Sequence, residues 1–272
     1  MNQIKHIVAV ASGKGGVGKS TTSVNIALAM AALGKRIGLL DADIYGPSQQ
    51  MMLGVGSEQR PKQSVDGQHL LPIEVHGLES MSMGYLVSDK TPMVWRGPMA
   101  GGALAQLLEQ TLWGELDVLI IDMPPGTGDV QLTLSQKAKV AGAVIVTTPQ
   151  NIALLDAQKG IEMFRKVDIP VLGVIENMAV HICTACGHVE HIFGAEGGER
   201  IAADYGVPVL ASLPLARSIR EQTDAGQPPV IAEPESEVAG LYLKAAESIL
   251  EALNKPGNGA VQQFPEIKIT DD

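Results

Sequence analysis

Residues 13–20, with the sequence GKGGVGKS, constrain this chain more than any other stretch. An apolar run at residues 7–11 precedes them, and a segment with helical spacing follows. A strand, a glycine-rich turn and a helix in this order are the context of a phosphate-binding loop. Glycines let backbone N–H groups converge on an anion, and the N-terminus of the following helix adds the positive end of its dipole. The stretch therefore predicts a nucleotide site, rather than a glycine-rich turn that binds nothing.

Each residue type in this loop has a chemical reason. Lys19 places a cation near the β and γ phosphates of a nucleotide, and the Ser20 hydroxyl is a ligand for Mg²⁺. Lys14 is a second lysine, which an ordinary loop does not need; on its residue type alone it could be a solvated loop lysine. The residues expected to contact the nucleotide are Gly13, Lys14, Gly15, Gly16, Val17, Gly18, Lys19, Ser20 and Thr21.

Carboxylates follow two further apolar runs. Asp41 and Asp43 come after residues 36–40, and Asp122 comes after residues 116–121. Open α/β sheets bind their ligands at the carboxyl ends of the strands, so these carboxylates favour a functional reading over solvated loop acids. Asp122 fits a Walker B aspartate, which holds Mg²⁺ directly or through water. In the loop that follows, the N–H of Gly126 can donate to a γ-phosphate.

Both cysteines of the chain lie in one short loop. Cys183 and Cys186 form a Cys-x-x-Cys, and three histidines lie nearby, at positions 181, 188 and 191. Such a turn presents two thiolates to one metal centre, but two thiolates do not complete a tetrahedral site. The other ligands must come from the histidines or from a second chain. Unrelated thiols and a thioredoxin-like redox motif are the weaker alternatives.

Composition narrows the classes of protein. Aromatic residues make up 3% of the 272 residues and hydrophobic residues 45%, so the core must be aliphatic, as in buried parallel strands. A formal net charge of −10 argues against a nucleic-acid partner or an anionic membrane surface. No apolar run reaches the length of a transmembrane helix. Because two cysteines are no disulfide framework and we expect no cleaved signal peptide, we expect a cytoplasmic protein.

The order of the segments predicts one α/β domain. Buried strand patterns alternate with helical patterns, which indicates a mostly parallel, twisted sheet with helices on both faces. We place this domain at residues 1–253. Within it we expect a strand at residues 170–175, helices at residues 103–112 and 151–166, helix-ending glycines at positions 34 and 206, and a final helix that Ser236 caps. Residues 254–272 carry prolines and glycines and end acidic, so we expect a flexible tail there.

Six motifs occur together in one order: the loop with its extra lysine, DADIYGPS at 41–48, WRGPM at 95–99, DMPPGTGD at 122–129, ENM at 176–178 and the Cys-x-x-Cys. Together they resemble the Mrp/ApbC family of iron–sulfur cluster carrier ATPases, which have the deviant Walker A loop of the MinD/ParA class. The resemblance covers roughly residues 5–253. It implies a P-loop NTPase fold, slow ATP hydrolysis with Mg²⁺ and a homodimer.

The resemblance also assigns roles to residues. It implies that Lys14 reaches the nucleotide of a partner chain, that Asp43 orients the attacking water and that Asp41 lies closer to Mg²⁺ and its waters. Asn177 would contact the adenine ring, although on chemistry alone it could be an ordinary turn residue. Lys14, Lys19 and Asp43 are thus the expected catalytic residues.

For the cysteines, spacing and resemblance together favour one [4Fe–4S] cluster, held by Cys183 and Cys186 of two chains. The expected partners of the protein are apo iron–sulfur proteins and cluster scaffold proteins. Two alternatives remain: a positioning ATPase of the MinD/ParA type, which the acidic tail disfavours, and a nucleotide-binding protein with a structural zinc at the Cys-x-x-Cys.

Overall fold

The structure, a computed structural model, describes residues 3–86 and 97–255. Strands and helices alternate along these ranges. The strands are β1 (Ile4–Ala11), β2 (Ile37–Asp41), β3 (Ile73–Val75), β4 (Leu78–Ser82), β5 (Leu116–Asp122), β6 (Gly142–Thr147), β7 (Val171–Ile182), β8 (Val189–Glu190) and β9 (Val209–Pro214). The helices are α1 (Lys19–Ala32), α2 (Gln49–Met52), α3 (Gly97–Gln110), α4 (Asp129–Lys137), α5 (Asn151–Lys166), α6 (Gly197–Tyr205), α7 (Arg217–Asp224), α8 (Pro229–Ala232) and α9 (Glu237–Asn254).

The strands form one sheet in the order β3-β4-β2-β5-β1-β6-β7-β8, and β9 pairs with β7. The β3–β4 and β7–β8 pairs are antiparallel and the other pairs are parallel, which confirms the predicted mostly parallel sheet. From β1 the chain crosses to β2 in one direction, and from β5 it crosses to β6 in the other. Because such crossovers are right-handed, α1 covers one face of the sheet and α4 covers the other.

The strand order places the phosphate-binding loop. β1 lies between β5 and β6, at the point in the sheet where the chain connections change direction. The connection from β1 to β2 runs to one side of this point, and the connection from β5 to β6 runs to the other. This topological switch point opens a crevice at the carboxyl ends of the strands. Asp122 pairs in register with Val10 of β1 and with Asp41 of β2. Three neighbouring strands therefore bring the loop, Asp122 and Asp41 to the same edge.

The core is aliphatic, as the composition requires. Central strand residues such as Val8, Ile120 and Val144 have no solvent exposure. Helix α1 is also buried along most of its length, because α9 and α8 pack over it. Each fully buried aliphatic side chain contributes roughly 1.5–3 kcal/mol relative to an exposed one. The sheet is thus a rigid support for the loops at its carboxyl edge.

Several local predictions are confirmed. Gly34 and Gly206 adopt left-handed φ angles of 78° and 63° at the ends of α1 and α6. Gly206 is the cap residue of α6, and Gly34 follows the cap residue of α1, Leu33. The Ser236 hydroxyl accepts a hydrogen bond from the Ala239 N–H and caps α9. Among the described helices, none combines the length and the apolar character needed to cross a bilayer.

Other features differ from the predictions. The strand expected to end before Glu176 continues to Ile182, because its second half gains an antiparallel partner in β8. Helix α4 was not predicted, and α3 begins at Gly97 rather than at residue 103. Trp95 and Arg96 of the WRGPM motif and residues 256–272 lie outside the described residues. The division into a domain and a flexible tail therefore stays a prediction.

Candidate nucleotide and metal site

The phosphate-binding loop joins β1 to α1 in a conformation that depends on glycine. Gly16 and Gly18 have φ angles of 83° and 81°, in the left-handed region where a side chain is strained. A Cβ on Gly13 would lie 2.1 Å from the backbone carbon of Asp156 in α5, so the helix packs directly against the loop. The loop borders a cleft of about 220 Å³, lined by Ser12, Lys14, Gly15, Gly16, Gly18, Lys19, Ser20, Thr21, Asp43, Ser48, Met52 and Pro125. Val17 points inward and is buried.

A buried ion pair lies at the base of this cleft. Lys19 Nζ donates to Asp122 Oδ1 at 2.6 Å, and the two side chains are 6% and 0% exposed. Lys19 Nζ also donates to Ser20 Oγ at 3.0 Å. The structure thus brings together the three residues predicted to bind the phosphates and Mg²⁺.

Two further residues complete the hydrogen bonds of Asp122. Ser23 Oγ donates to Oδ1 at 2.8 Å, and Gln49 Nε2 donates to Oδ2 at 2.9 Å. Sequence reasoning missed both. Ser23 carried a usable signal, since it lies four residues after Lys19 and so on the same face of α1. Gln49 carried none, because nothing local links α2 to β5.

Asp41 lies behind residues 43–49, which we call the first switch segment. Its carboxylate is fully buried and accepts hydrogen bonds from the N–H groups of Asp43, Ser48 and Gln49 and from the Ser82 hydroxyl. Burial, and then the charge of Asp122, raise the pKa of Asp41. These contacts make Asp41 the anchor of residues 43–49. Its expected proximity to magnesium-bound water stays a prediction.

Asp43, in contrast, faces the cleft. It lines the same cavity as Lys14 and Lys19, and its Oδ1 accepts a hydrogen bond from the Gly46 N–H at 3.3 Å. Partial burial raises the pKa of its carboxyl group, whereas the charge of Lys19 lowers it. The position is compatible with the expected role of Asp43, which is to orient the attacking water, and that role stays a prediction.

Residues 123–128, which we call the second switch segment, follow β5. Gly126 has a φ of 96°, and its N–H donates to the Ser12 carbonyl at 2.9 Å. Gln131 Nε2 holds this segment by donating to the carbonyls of Pro124 and Gly126. The predicted contact of the Gly126 N–H with a γ-phosphate requires this bond to Ser12 to be exchanged.

Lys14 and Asn177 flank the loop. The Lys14 carbonyl accepts a hydrogen bond from Ser12 Oγ, and its ammonium group has no ion pair with residues 3–86 or 97–255. Asn177 is buried and donates from Nδ2 to the Val17 carbonyl at 2.8 Å. It also packs so closely on Gly18 that a Cβ there would lie 2.1 Å from Nδ2. Asn177 therefore supports the loop, and its contact with adenine stays a prediction.

The Cys-x-x-Cys forms the turn of the β7–β8 hairpin. The Cys183 N–H donates to the His188 carbonyl at 2.9 Å, and the Gly187 N–H donates to the Cys183 carbonyl at 2.8 Å. Hydrogen bonds from the N–H groups of Ala185 and Cys186, and then from the Cys186 thiol, lower the pKa of Cys183. Cys186 is exposed and Cys183 is half-buried, so both can reach a ligand outside the chain.

Two of the three neighbouring histidines are hydrogen-bonded to backbone carbonyls through one ring nitrogen. The Nδ1 of His181 bonds to the Leu215 carbonyl at 3.1 Å, and the Nδ1 of His191 bonds to the Ala179 carbonyl at 3.0 Å. In the described part of the chain, no group of three or more His, Cys, Asp or Glu side chains is arranged to hold a metal ion. The turn thus offers two thiols without a third protein ligand beside them.

Comparisons with known proteins show which family the chain is similar to. The ParA family model described as a NUBPL iron-transfer P-loop NTPase matches residues 3–250. A Pseudomonas fragi iron–sulfur cluster carrier protein is 66% identical over 89% of this chain and 84% of its own length. The Escherichia coli K12 protein of the same name is 58% identical, over 93% of this chain and 68% of its own. The mouse iron–sulfur cluster transfer protein NUBPL is 50% identical over 92% and 78%.

Solved structures support the predicted fold. A nucleotide-binding protein from Archaeoglobus fulgidus in complex with ADP superposes with a TM-score of 0.75 at 35% identity, over 87% of this chain and 91% of that one. The cell division ATPase MinD of Pyrococcus furiosus superposes with a TM-score of 0.68 at 24% identity, which supports the fold alone. The predicted fold class is confirmed.

Proposed function

The chain belongs to the NUBPL iron-transfer P-loop NTPases of the ParA family, and from that premise we propose that it carries a [4Fe–4S] cluster between two copies of itself. ATP binds at the loop, and the cluster is held by Cys183 and Cys186 of both copies. The cluster is cargo, received from scaffold proteins and passed to apo-proteins. ATP hydrolysis at the loop accompanies this transfer.

The thiol count at the hairpin carries this proposal. A cubane cluster needs about four thiolates, and one chain offers two. No third ligand stands beside them in the described residues. A two-fold axis through the turn doubles two thiolates into four and makes the interface self-complementary. The depressed pKa of Cys183 favours the thiolate form that binds iron.

The surface beside the turn supports a partner. Three aliphatic side chains that flank the cysteines are about half exposed: Ile182, Val189 and Ile192. Apolar side chains grouped on a surface are typical of interaction sites. A cluster bound at such an exposed seam can leave when the two copies part.

The loop residues suit ATP with Mg²⁺. Ser20 Oγ and the Asp122 carboxylate are the oxygen ligands that Mg²⁺ prefers. Asp122 is fully buried beside Lys19, and Gln49 Oε1 is a buried acceptor without a partner in the described residues, so the donor set fits a hydrated cation. Bound there, Mg²⁺ would supply charge neutralisation at the β and γ phosphates. Lys19 would exchange Asp122 for the phosphates, and Asp43 would orient water.

One strand links the two sites. Asn177 of β7 bonds to the Val17 carbonyl in the loop, and β7 ends at Ile182 next to the cysteine turn. A change in the loop can therefore reach the turn along one strand, whose backbone is irregular at Met178, with a φ of 56°, between the two sites. Lys14, which has no ion pair in residues 3–86 or 97–255, would supply its cation to the nucleotide of the partner copy.

Anaerobic reconstitution tests the cluster. The wild type should take up about four irons per two chains, show broad visible absorption and form a dimer by light scattering. Cys183→Ala and Cys186→Ala should lose all three properties. His188→Ala is the matched control, since the histidine lies in the same turn and the proposal gives it no ligand role. One tightly bound zinc per chain, lost in His188→Ala and with no iron uptake, would contradict the proposal.

A further inference from the structure

Gln49 is buried where three segments of the nucleotide site meet. Its side chain has no solvent exposure. Nε2 donates to Asp122 Oδ2 at 2.9 Å and to the Ser20 carbonyl at 3.1 Å, and the main-chain N–H donates to Asp41 Oδ2 at 3.1 Å. One residue of α2 is thus bonded to the end of β5, to the first turn of α1 and to the end of β2.

The partners of Gln49 fix the orientation of its amide. Both groups that Nε2 contacts are acceptors, so a flipped amide would place Oε1 against a carbonyl and a carboxylate. In the orientation that satisfies Nε2, Oε1 is buried and has no hydrogen-bond partner among the described residues. Such an acceptor is costly to leave unpaired, and a donor that reached it on nucleotide binding would remove the cost.

The hydrogen bonds of Asp122 show what the amide does. Oδ1 accepts from Lys19 and Ser23, and Oδ2 accepts from Gln49. Once Lys19 turns toward a phosphate, Ser23 and Gln49 are the donors that remain on the carboxylate. Gln49 then holds Oδ2, whereas Ser23 holds Oδ1. Because the main-chain N–H of Gln49 is bonded to Asp41, the same residue connects Oδ2 to the first switch segment.

We propose that Gln49 is a positioning residue for Mg²⁺–nucleotide. Its Nε2 orients the Asp122 carboxylate, its Oε1 accepts a hydrogen bond from the hydration shell of the cation, and its main chain transmits the state of that site to residues 41–49. The inference rests on the nucleotide function proposed above and goes beyond it, because it names the link between the cation site and the first switch segment.

The neighbouring residue provides a matched control. Gln50 belongs to the same short helix, but its Nε2 donates to the Gly56 carbonyl, away from the cleft. Gln49→Met keeps the volume of the side chain and removes the amide. Gln49→Asn keeps the amide but is one methylene shorter, so it cannot reach Asp122 and Ser20 together. Gln50→Met makes the first change outside the network.

The experiment measures binding, turnover and exchange on the full chain. A fluorescent ADP analogue gives the affinity with EDTA and with Mg²⁺, steady-state kinetics give kcat, KM and the Mg²⁺ requirement, and amide hydrogen exchange reports on residues 42–53. Both Gln49 variants should bind the analogue normally in EDTA. They should lose about tenfold in kcat at similar KM, as expected for one lost charge-assisted hydrogen bond. They should also need more Mg²⁺ and lose the Mg²⁺–ADP-dependent protection of residues 42–53, whereas Gln50→Met should behave as the wild type.

Two outcomes would overturn the inference. The first is a wild-type Mg²⁺ requirement with wild-type protection in both Gln49 variants, whether or not their kcat falls. The second is a large loss of thermal stability in both variants, which would indicate a packing role. Failure of the nucleotide function is distinguishable, because the wild type itself would then bind no analogue or Lys19→Ala would bind it normally.

Discussion

Lys19→Met separates the contribution of the loop lysine to the fold from its contribution to nucleotide binding. The lysine is buried against a carboxylate that has no solvent exposure, so its removal leaves a negative charge inside the protein. Breaking a buried pair by removing one partner costs about 3–5 kcal/mol. Because Ser23 and Gln49 still donate to Asp122, we expect the lower end, about 3 kcal/mol, in the free energy of unfolding.

The loss should be visible in thermal melting. For a domain of this size, about 1 kcal/mol corresponds to roughly 2–4 °C, so the midpoint should fall by roughly 6–12 °C. The double variant Lys19→Met/Asp122→Asn removes both charges of the pair, and its midpoint should recover at least half of that fall. The double-mutant cycle then gives the coupling free energy of the pair.

Nucleotide binding should respond differently. Both Lys19→Met and the double variant lack the cation, so neither should bind ATP even where stability is recovered. Melting curves with and without Mg²⁺–ATP measure both effects in one experiment, since a bound ligand raises the midpoint. A Lys19→Met midpoint within about 1 °C of the wild type, far less than a buried pair predicts, would refute this reasoning. So would a double variant that melts no higher than the single one.

Three further predictions concern neighbouring residues. Lys14→Ala should keep nucleotide binding and lose most hydrolysis, whereas Lys35→Ala, an exposed lysine outside the cleft, should change neither; equal ATPase rates in the two variants would exclude a catalytic cation at Lys14. Asp43→Asn should bind ATP normally and turn it over at least about 100-fold more slowly, as expected when a group that orients the nucleophile is lost; an unchanged single-turnover rate would remove Asp43 from the reaction. Burial and the charge of Asp122 raise the pKa of Asp41 to about 7, so between about pH 4 and 7 the folded chain binds more protons than the unfolded chain. The free energy of unfolding should therefore fall as the pH rises through that window, and Asp41→Asn should flatten the fall in urea titrations; an equal slope in both proteins would contradict the assignment.

The sequence alone was sufficient for features that are local. The loop, β5 and α5 were predicted with the bounds that the structure gives or within a few residues of them, because each is one contiguous pattern with its own period and its own flanking signals. The same holds for the cap at Ser236 and the glycine that ends α6. Length and composition also restricted the fold to an aliphatic, mostly parallel sheet.

The tertiary structure decided which of these residues meet. Gln49 bonds to a carboxylate 73 positions away and Asn177 to a carbonyl 160 positions away, and no local pattern encodes either contact. The same is true of Asp41. Its place after a strand predicted a position near the ligand, whereas in the structure its carboxylate accepts hydrogen bonds from the backbone of the first switch segment. The length of β7 depended on β8, a partner that forms only after the cysteine turn reverses the chain. The reason is physical: a hydrogen bond or an ion pair depends on distance in space, and strand order, rather than separation along the chain, sets that distance.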